Sequence, residues 1–125
     1  MTVRRIVANL QDASPGELAE FYENLFGLER LMDQGWIVTS GGGVQTPVQI
    51  SFASEGGSGT PVPALSIEVD DLDACFDRAK ALGCRIAYGP TQEPWGARRF
   101  FIEDPAGRLV NILTHALPGE AGSSS

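Results

Sequence analysis

Two tryptophans and two adjacent arginines are the residues of this 125-residue chain best suited to binding an organic molecule. Trp36, Trp95, Arg98 and Arg99 carry large rings or guanidinium groups, which a small domain usually packs or pairs. Aromatic stacking beside an arginine suits a planar or anionic ligand. We expect Trp95 and one of the two arginines to contact such a ligand. The alternative for Trp36 and the other arginine is to close the core or a dimer interface.

His115 is the only histidine of the chain. A Ser-His-Asp or Cys-His arrangement would have to use this one residue near the C-terminus, so nucleophilic catalysis is disfavoured and no catalytic residue is assigned. We expect His115 to be an edge or terminal residue near solvent. The glycine run at 41–43 lacks a following Lys-Ser or Lys-Thr and predicts a hairpin tip, not a phosphate-binding loop.

Composition predicts one cytoplasmic domain with an apolar core. The hydrophobic content is 42%, and no apolar run suggests a signal peptide or a membrane span. The net charge of −7 argues against nucleic acid and anionic membranes as partners. Cys75 and Cys84 are expected to be small half-buried thiols, not a disulfide or a nucleophile.

The chain contains two copies of one strand-helix-strand-strand-strand pattern. In the first copy, a strand at 5–10 precedes a helix that begins at Pro15, with Ser14 as N-cap and Glu17 as its capping-box partner, and ends at Gly27. Its helical spacing predicts one buried stripe, made of Leu18, Phe21, Tyr22, Leu25 and Phe26. Three extended runs follow, at 28–33, 36–40 and 48–53.

The second copy repeats this order from a strand at 64–69. Asp70 or Asp71 caps its helix and Gly83 ends it, and the apolar stripe consists of Leu72, Phe76, Ala79 and Leu82. The extended runs that follow lie at 85–88, 98–103 and 109–114.

These elements predict an α+β fold of two tandem βαβββ modules within a single domain, 1–115. Module one spans 3–55, a Gly, Ser and Pro-rich linker spans 54–63, and module two spans 64–115. Residues 116–125 lack apolar periodicity and predict a disordered tail. Because one helix covers only one face of each sheet, we expect the two sheets to form a curved mixed-sheet cup around a ligand-sized interior.

Several phrases in the right order resemble the glyoxalase/bleomycin resistance/dioxygenase (vicinal oxygen chelate) superfamily. They are AEFYENLFGLE at 19–29, SIEVDDLDA at 66–74 and FFIEDPAGRLVNIL at 100–113, and the resemblance spans nearly the whole chain before the tail. The stretch EPWGARRFFIEDPAG at 93–107 is similar to the bleomycin-resistance branch. The resemblance implies a glyoxalase-like fold with a binding cleft.

The resemblance also implies where a divalent cation would bind in metal-dependent members. They use a His or Gln near the start of each module and a Glu late in each module; by position these fall at Val7, Ala64, Gln49 and Asn111. Two aliphatic residues and two neutral amides provide neither imidazole nor carboxylate, the ligands that such metals prefer. We therefore expect no metal and no other cofactor.

The favoured function is metal-independent binding of a small organic molecule, as in drug sequestration. The predicted ligand-binding residues are Trp36, Gln49, Trp95, Arg98, Arg99 and Asn111, and either Arg98 or Arg99 points inward. A homodimer is expected, since a second chain would cover exposed strand edges. The alternatives are a metal-dependent lyase, isomerase or ring-cleaving dioxygenase of the same superfamily, and a regulatory or interaction module.

Overall fold

The computed structural model describes residues 1–42 and 48–115, so the predicted tail at 116–125 and part of the predicted glycine hairpin tip lie outside the described residues. The elements alternate as the sequence predicts: β1 (Val3–Gln11), α1 (Pro15–Phe26), β2 (Glu29–Asp33), β3 (Ile37–Gly41), β4 (Gln49–Ala53), β5 (Leu65–Val69), α2 (Leu72–Ala81), β6 (Arg85–Gln92), β7 (Ala97–Glu103) and β8 (Leu109–His115). The α+β class and the repeated βαβββ pattern are confirmed.

The described chain divides into two compact units. The first unit comprises 7–64, and the second comprises 1–6 with the described residues from 65 onward. In the first, the strand order is β2-β3-β4-β1, with β1 parallel to β4 and the other pairs antiparallel. In the second, the order is β5-β8-β7-β6, with only the β5–β8 pair parallel. Each sheet is therefore mixed.

Local signals place the helix ends. Pro15 occupies the first turn of α1, and Gly27 ends the helix in the left-handed region at φ 70°. The expected capping box is absent, because the Ser14 side chain makes no cap hydrogen bond; its carbonyl accepts the first helical N–H groups instead. For α2, the Asp71 carboxylate accepts from the backbone N–H of Ala74, which resolves the choice between Asp70 and Asp71.

Two of the five residues predicted to form the buried stripe of α1 pack on the core. Leu18 and Tyr22 pack with the fully buried Ala19 on a core that includes Val38 and Phe52. The other three predicted stripe residues are exposed: Phe21 by 59%, Leu25 by 61% and Phe26 by 63%. At 3.6 residues per turn, Phe21 and Leu25 lie on the side of the helix away from the fully buried Ala19, whereas Phe26 shares the side of Ala19 but is the last residue of the helix.

The core of the second unit lies between α2 and its sheet. The buried residues of this core are Val69, Leu72, Ala79, Phe100, Val110 and Ile112. Leu82, predicted to complete the stripe of α2, is 75% exposed because the helix has ended at Ala81. No helix in the described part of the chain is long and apolar enough to cross a membrane.

A carboxylate on α1 joins the helix to two strands of the first unit. Glu23 accepts two hydrogen bonds from the Arg30 guanidinium on β2, at 3.0 and 3.2 Å, and one from the Ser40 hydroxyl on β3 at 2.7 Å. The hydrogen bond from Arg30 is the main reason why the pKa of Glu23 is lowered from its ordinary value. The ionised form of Glu23 is therefore the one that the fold stabilises.

We predict that Glu23→Gln lowers the free energy of unfolding by about 1–2 kcal/mol near neutral pH, because it removes the charge from three hydrogen bonds. Since the folded-state pKa is lowered, this contribution is complete above the ordinary value of 4.5 and is lost as the pH falls through the native value. Urea unfolding at several pH values should show the gap to the parent closing in acid. Glu20→Gln, at an exposed site on the same helix, is the control; a gap independent of pH would contradict the assignment.

Candidate functional site

The two faces of the sheet in the second unit carry different chemistry. On β7, the Phe100 ring packs edge-on against Phe76 of α2, with ring centroids 5.1 Å apart, and Arg98 pairs with Asp73 of α2 at 2.6 Å. Side chains alternate along a strand, so Arg99 lies on the face opposite α2. The structure thus answers which of the two adjacent arginines points away from the helix.

Arg99 is a buried cation paired with a buried carboxylate. Its side chain and that of Glu93 are each only 4% exposed, and the Arg99 Nε lies 2.6 Å from Glu93 Oε2. The same carboxylate oxygen accepts a hydrogen bond from the Tyr88 hydroxyl at 2.8 Å. A charge removed from water is tolerated only when it is paired and hydrogen-bonded, and this arrangement meets that requirement.

Three aromatic rings surround the Arg99 guanidinium. Its central carbon lies 4.7 Å from the centroid of the Phe101 ring, 5.0 Å from that of Trp95 and 5.3 Å from that of Tyr88. These distances are within the range of cation–π attraction, which is stronger where water is excluded. We name the group of Tyr88, Glu93, Trp95, Arg99 and Phe101 the Arg99 cluster.

The β6–β7 turn positions Glu93 and Trp95 over β7. The N–H of Glu93 donates to the carbonyl of Ala97 at 2.7 Å, and the N–H of Gly96 donates to the carbonyl of Glu93 at 3.1 Å. Gly89 on β6 approaches the β7 backbone so closely that a Cβ there would lie 2.6 Å from the carbonyl oxygen of Arg99, at a φ of +77°. Only glycine allows this approach.

Asn111 borders the cluster on the neighbouring strand. It pairs directly with Phe101 across β7–β8 and lies on the same face as Arg99. Its Nδ2 donates to the Ser66 hydroxyl at 3.1 Å, while Oδ1 is buried and has no hydrogen-bond partner among the described residues. An amide oxygen withdrawn from water without a partner is rare in folded proteins and indicates a site that a further donor can complete.

His115 lies further along β8 and is exposed, as the sequence predicts. Its Nδ1 is 3.1 Å from Glu68 Oε2, and the other oxygen of Glu68 is 3.2 Å from Arg5 Nε. Glu68 thus contacts both Arg5 and His115 at the end of β8. This arrangement contributes no element of a nucleophilic triad.

In the first unit, the predicted site residues are more dispersed. Gln49 begins β4 and Trp36 precedes β3; both are half-buried, and the Trp36 carbonyl accepts the N–H of Ser54 at 2.9 Å. Between them, the hydroxyls of Thr39 and Ser51 are buried and bonded to each other at 2.7 Å. The polar groups on this face therefore include a pair that is already mutually satisfied.

The residues at the family's metal-ligand positions do not fit a divalent cation. Val7 and Ala64 have no donor atom, and the Nδ2 of Asn111 is bonded to Ser66, which leaves one neutral oxygen there. No group of three or more His, Cys, Asp or Glu side chains capable of holding a metal occurs within 1–42 and 48–115. The neutral amides of Gln49 and Asn111 supply neither the charge nor the number of ligands that such ions require.

Sequence reasoning missed Glu93, Tyr88 and Ser66. The signal for Glu93 was its place in the hairpin just before Trp95, where an inward arginine on the next strand needs a carboxylate. Tyr88 could be found only through the irregular β6–β7 register, which shifts on either side of it. The position of Ser66 beside Asn111 follows from the parallel register of β5 and β8, which sequence alone does not specify.

The adjacent arginines provide a matched test of this geometry. We predict that Arg99→Met lowers the free energy of unfolding by about 3–5 kcal/mol, because the buried Glu93 carboxylate loses its guanidinium partner. Arg98→Met should cost less than about 1 kcal/mol, since its pair with Asp73 is exposed. Denaturant unfolding of both variants measures the difference. Equal losses would contradict the buried pair.

Solved structures with this fold come from several bacteria. An NAD-dependent benzaldehyde dehydrogenase from Legionella pneumophila has a TM-score of 0.71 at 18% identity, covering 88% of this chain and 98% of that chain. Methylmalonyl-CoA epimerase from Mycobacterium tuberculosis has a TM-score of 0.58 at 20% identity, covering 92% and 88%. These identities establish similarity of fold alone.

One further solved structure shares the fold, and a family model shows the family. A glyoxalase/bleomycin resistance protein/dioxygenase superfamily member from Vibrio splendidus 12B01 has a TM-score of 0.60 at 17% identity, covering 91% of this chain and 99% of that chain. None of the curated proteins matches the chain. The family model matches residues 5–112, which is most of the sequence. The chain belongs to the Glyoxalase/Bleomycin resistance protein/Dioxygenase superfamily.

Proposed function

We propose that this superfamily member binds a small organic molecule without a metal, and that the Arg99 cluster and Asn111 form the binding site. The observation that carries the proposal is the buried Asn111 Oδ1, which has no hydrogen-bond partner within 1–42 and 48–115 and lies on the same sheet face as an arginine enclosed by aromatic rings. Ligand sites typically combine apolar and aromatic walls with a few fixed polar groups. This face has that composition.

The two predicted arginines have different roles in the proposal. Arg99 belongs to the site, and Arg98 holds α2 through Asp73. Trp95 supplies a half-buried indole at the β6–β7 turn, where it can contact a ligand as well as Arg99. Gln49 and Trp36 of the first unit stay candidate ligand contacts. The sequence alone supports them, and no contact with the Arg99 cluster is implied.

The names of two structural neighbours support small-molecule binding as the general activity. One is named for benzaldehyde, an aromatic aldehyde, and another for a coenzyme A thioester. Family membership also supports the second candidate function, a metal-dependent lyase, isomerase or dioxygenase. Val7 and Ala64 argue against that candidate, because neither side chain can bind a cation. The homodimer and the regulatory-module alternative stay predictions from the sequence.

We predict that the chain purified without chelator contains much less than one equivalent of nickel, zinc, manganese or iron. The reason is the donor set: two aliphatic side chains and two amides at the family's ligand positions. Elemental analysis measures this directly, and thermal unfolding with and without chelator is the matched control. A stoichiometric metal whose removal lowers the melting temperature would favour the enzyme over the binder.

We predict that Trp95→Ala weakens binding of an aromatic ligand by about 1–3 kcal/mol, the scale of an aromatic anchor in a binding site. The two tryptophans permit a clean measurement by fluorescence. Trp36→Phe leaves Trp95 as the only indole, and Trp95→Phe leaves Trp36. A small aromatic compound such as para-ethylphenol should change the emission of the first variant more than that of the second. Unchanged emission in both, or full affinity after Trp95→Ala, would refute this site.

A further inference from the structure

We infer that the site favours a neutral aromatic molecule carrying a hydrogen-bond donor, such as a phenol or an aryl amide, over a carboxylate or another anion. The inference rests on the proposed function and narrows its ligand class. Three features of the second unit point to it: the free acceptor on Asn111, the neutralised charge of Arg99, and the aromatic rings around them.

The Oδ1 atom of Asn111 favours a ligand that carries a hydrogen-bond donor. The Asn111 residue is only 7% exposed, and its Nδ2 is already committed to the Ser66 hydroxyl. The group left over is a carbonyl-type oxygen, which can accept but cannot donate. A ligand hydroxyl or N–H completes this amide. A carboxylate or an ether oxygen placed there would face another acceptor and leave both groups unsatisfied.

Arg99 does not present an uncompensated positive charge. Glu93 Oε2 lies 2.6 Å from Arg99 Nε and also accepts the Tyr88 hydroxyl. The pair carries no net charge, so an incoming anion would meet the Glu93 carboxylate as well as the guanidinium. Arg99 and Glu93 are both shielded from water. In such a buried environment, the repulsion between the Glu93 carboxylate and a ligand carboxylate is strong. An inward arginine alone would predict a preference for anions, and its pairing with Glu93 removes that preference.

The remaining wall is aromatic. Phe101 stands directly opposite Asn111 in the β7–β8 register and contacts the Tyr88 ring at 5.2 Å between centroids. Trp95 lies over the guanidinium from the turn. A planar ring that reaches Asn111 from this side packs against aromatic faces and edges, which favour offset or edge-to-face contacts. An aliphatic donor would satisfy Asn111 but would forgo these contacts.

A matched set of three compounds tests the inference. Para-ethylphenol, para-ethylanisole and para-ethylbenzoate share one ring and one ethyl group; they differ in carrying a donor, an ether oxygen or a negative charge. Their dissociation constants can be measured by ligand-observed NMR titration of the full chain. We expect the phenol to bind roughly tenfold more tightly than either of the others, the scale of one hydrogen bond to a buried acceptor.

Two variants show where the preference arises. Asn111→Leu keeps the approximate side-chain volume and removes the acceptor. The anisole should keep its parental affinity, and the phenol should lose its advantage and bind about as tightly as the anisole. Glu93→Gln removes the neutralising charge and should shift the preference toward the benzoate. Circular dichroism establishes that each variant is folded. If Glu93→Gln does not fold, Asn111→Leu alone still tests whether the preference for the phenol arises at Asn111.

The outcomes separate the inference from the function on which it rests. Binding of all three compounds with equal affinity, or tightest binding of the benzoate to the parent chain, overturns the inference and leaves the proposed function intact. A phenol preference that survives Asn111→Leu also overturns it. If none of the three compounds binds, the proposed site itself is wrong.

Discussion

Arg99 is a permanent cation held almost completely out of water, and much of the second unit is arranged to accommodate it. A guanidinium cannot lose its proton in a protein, so burial must be offset by a partner. Glu93 is that partner, and the β6–β7 turn is bonded so that its carboxylate reaches Nε. The close approach of Gly89 to β7 belongs to the same arrangement, since it brings Tyr88 within reach of the same carboxylate.

The buried pair also determines what the sheet face opposite α2 can do. Without Glu93, the Arg99 guanidinium would attract anions; with Glu93 in place, the pair has no net charge. The aromatic rings around the guanidinium exclude water from the pair, which strengthens its internal electrostatics and raises the cost of adding another charge. What remains for recognition is shape, aromatic contact and the acceptor on Asn111.

The fold could be predicted from sequence in most respects because its signals are local. Pro15 and Gly27 place the ends of α1, and apolar alternation places the strands to within a few residues. The buried flank of α1 could not be predicted in the same way. Helical spacing shows which large residues share a stripe, but the fully buried Ala19 is not among them, and three of the five large residues are exposed.

The candidate site is harder to predict from sequence than the fold, because strand register determines which of its residues lie side by side. Residue type predicts Trp95 and the arginine pair, and the family resemblance predicts Asn111, whereas choosing Arg99 over Arg98 requires knowing which face of β7 meets α2. A shift of one residue would exchange the two arginines, and nothing in the sequence between Trp95 and Phe101 excludes that shift. Glu93 was missed for the same reason, since its role appears only once Arg99 is known to be buried.

The Thr39–Ser51 pair of the first unit and the Asn111–Ser66 pair of the second differ in their hydrogen bonding, and this difference bears on which pair can specify a ligand. In the first, Thr39 and Ser51 are paired across β3–β4, and each hydroxyl satisfies the other. In the second, Phe101 stands opposite Asn111 across β7–β8, and among the residues that the structure describes the amide bonds Ser66 while its Oδ1 has no partner. A buried polar group without a partner destabilises the fold, whereas a closed hydroxyl pair does not. A ligand that supplies the missing hydrogen bond recovers that cost on binding, which makes Asn111 a stronger source of specificity than the Thr39–Ser51 pair.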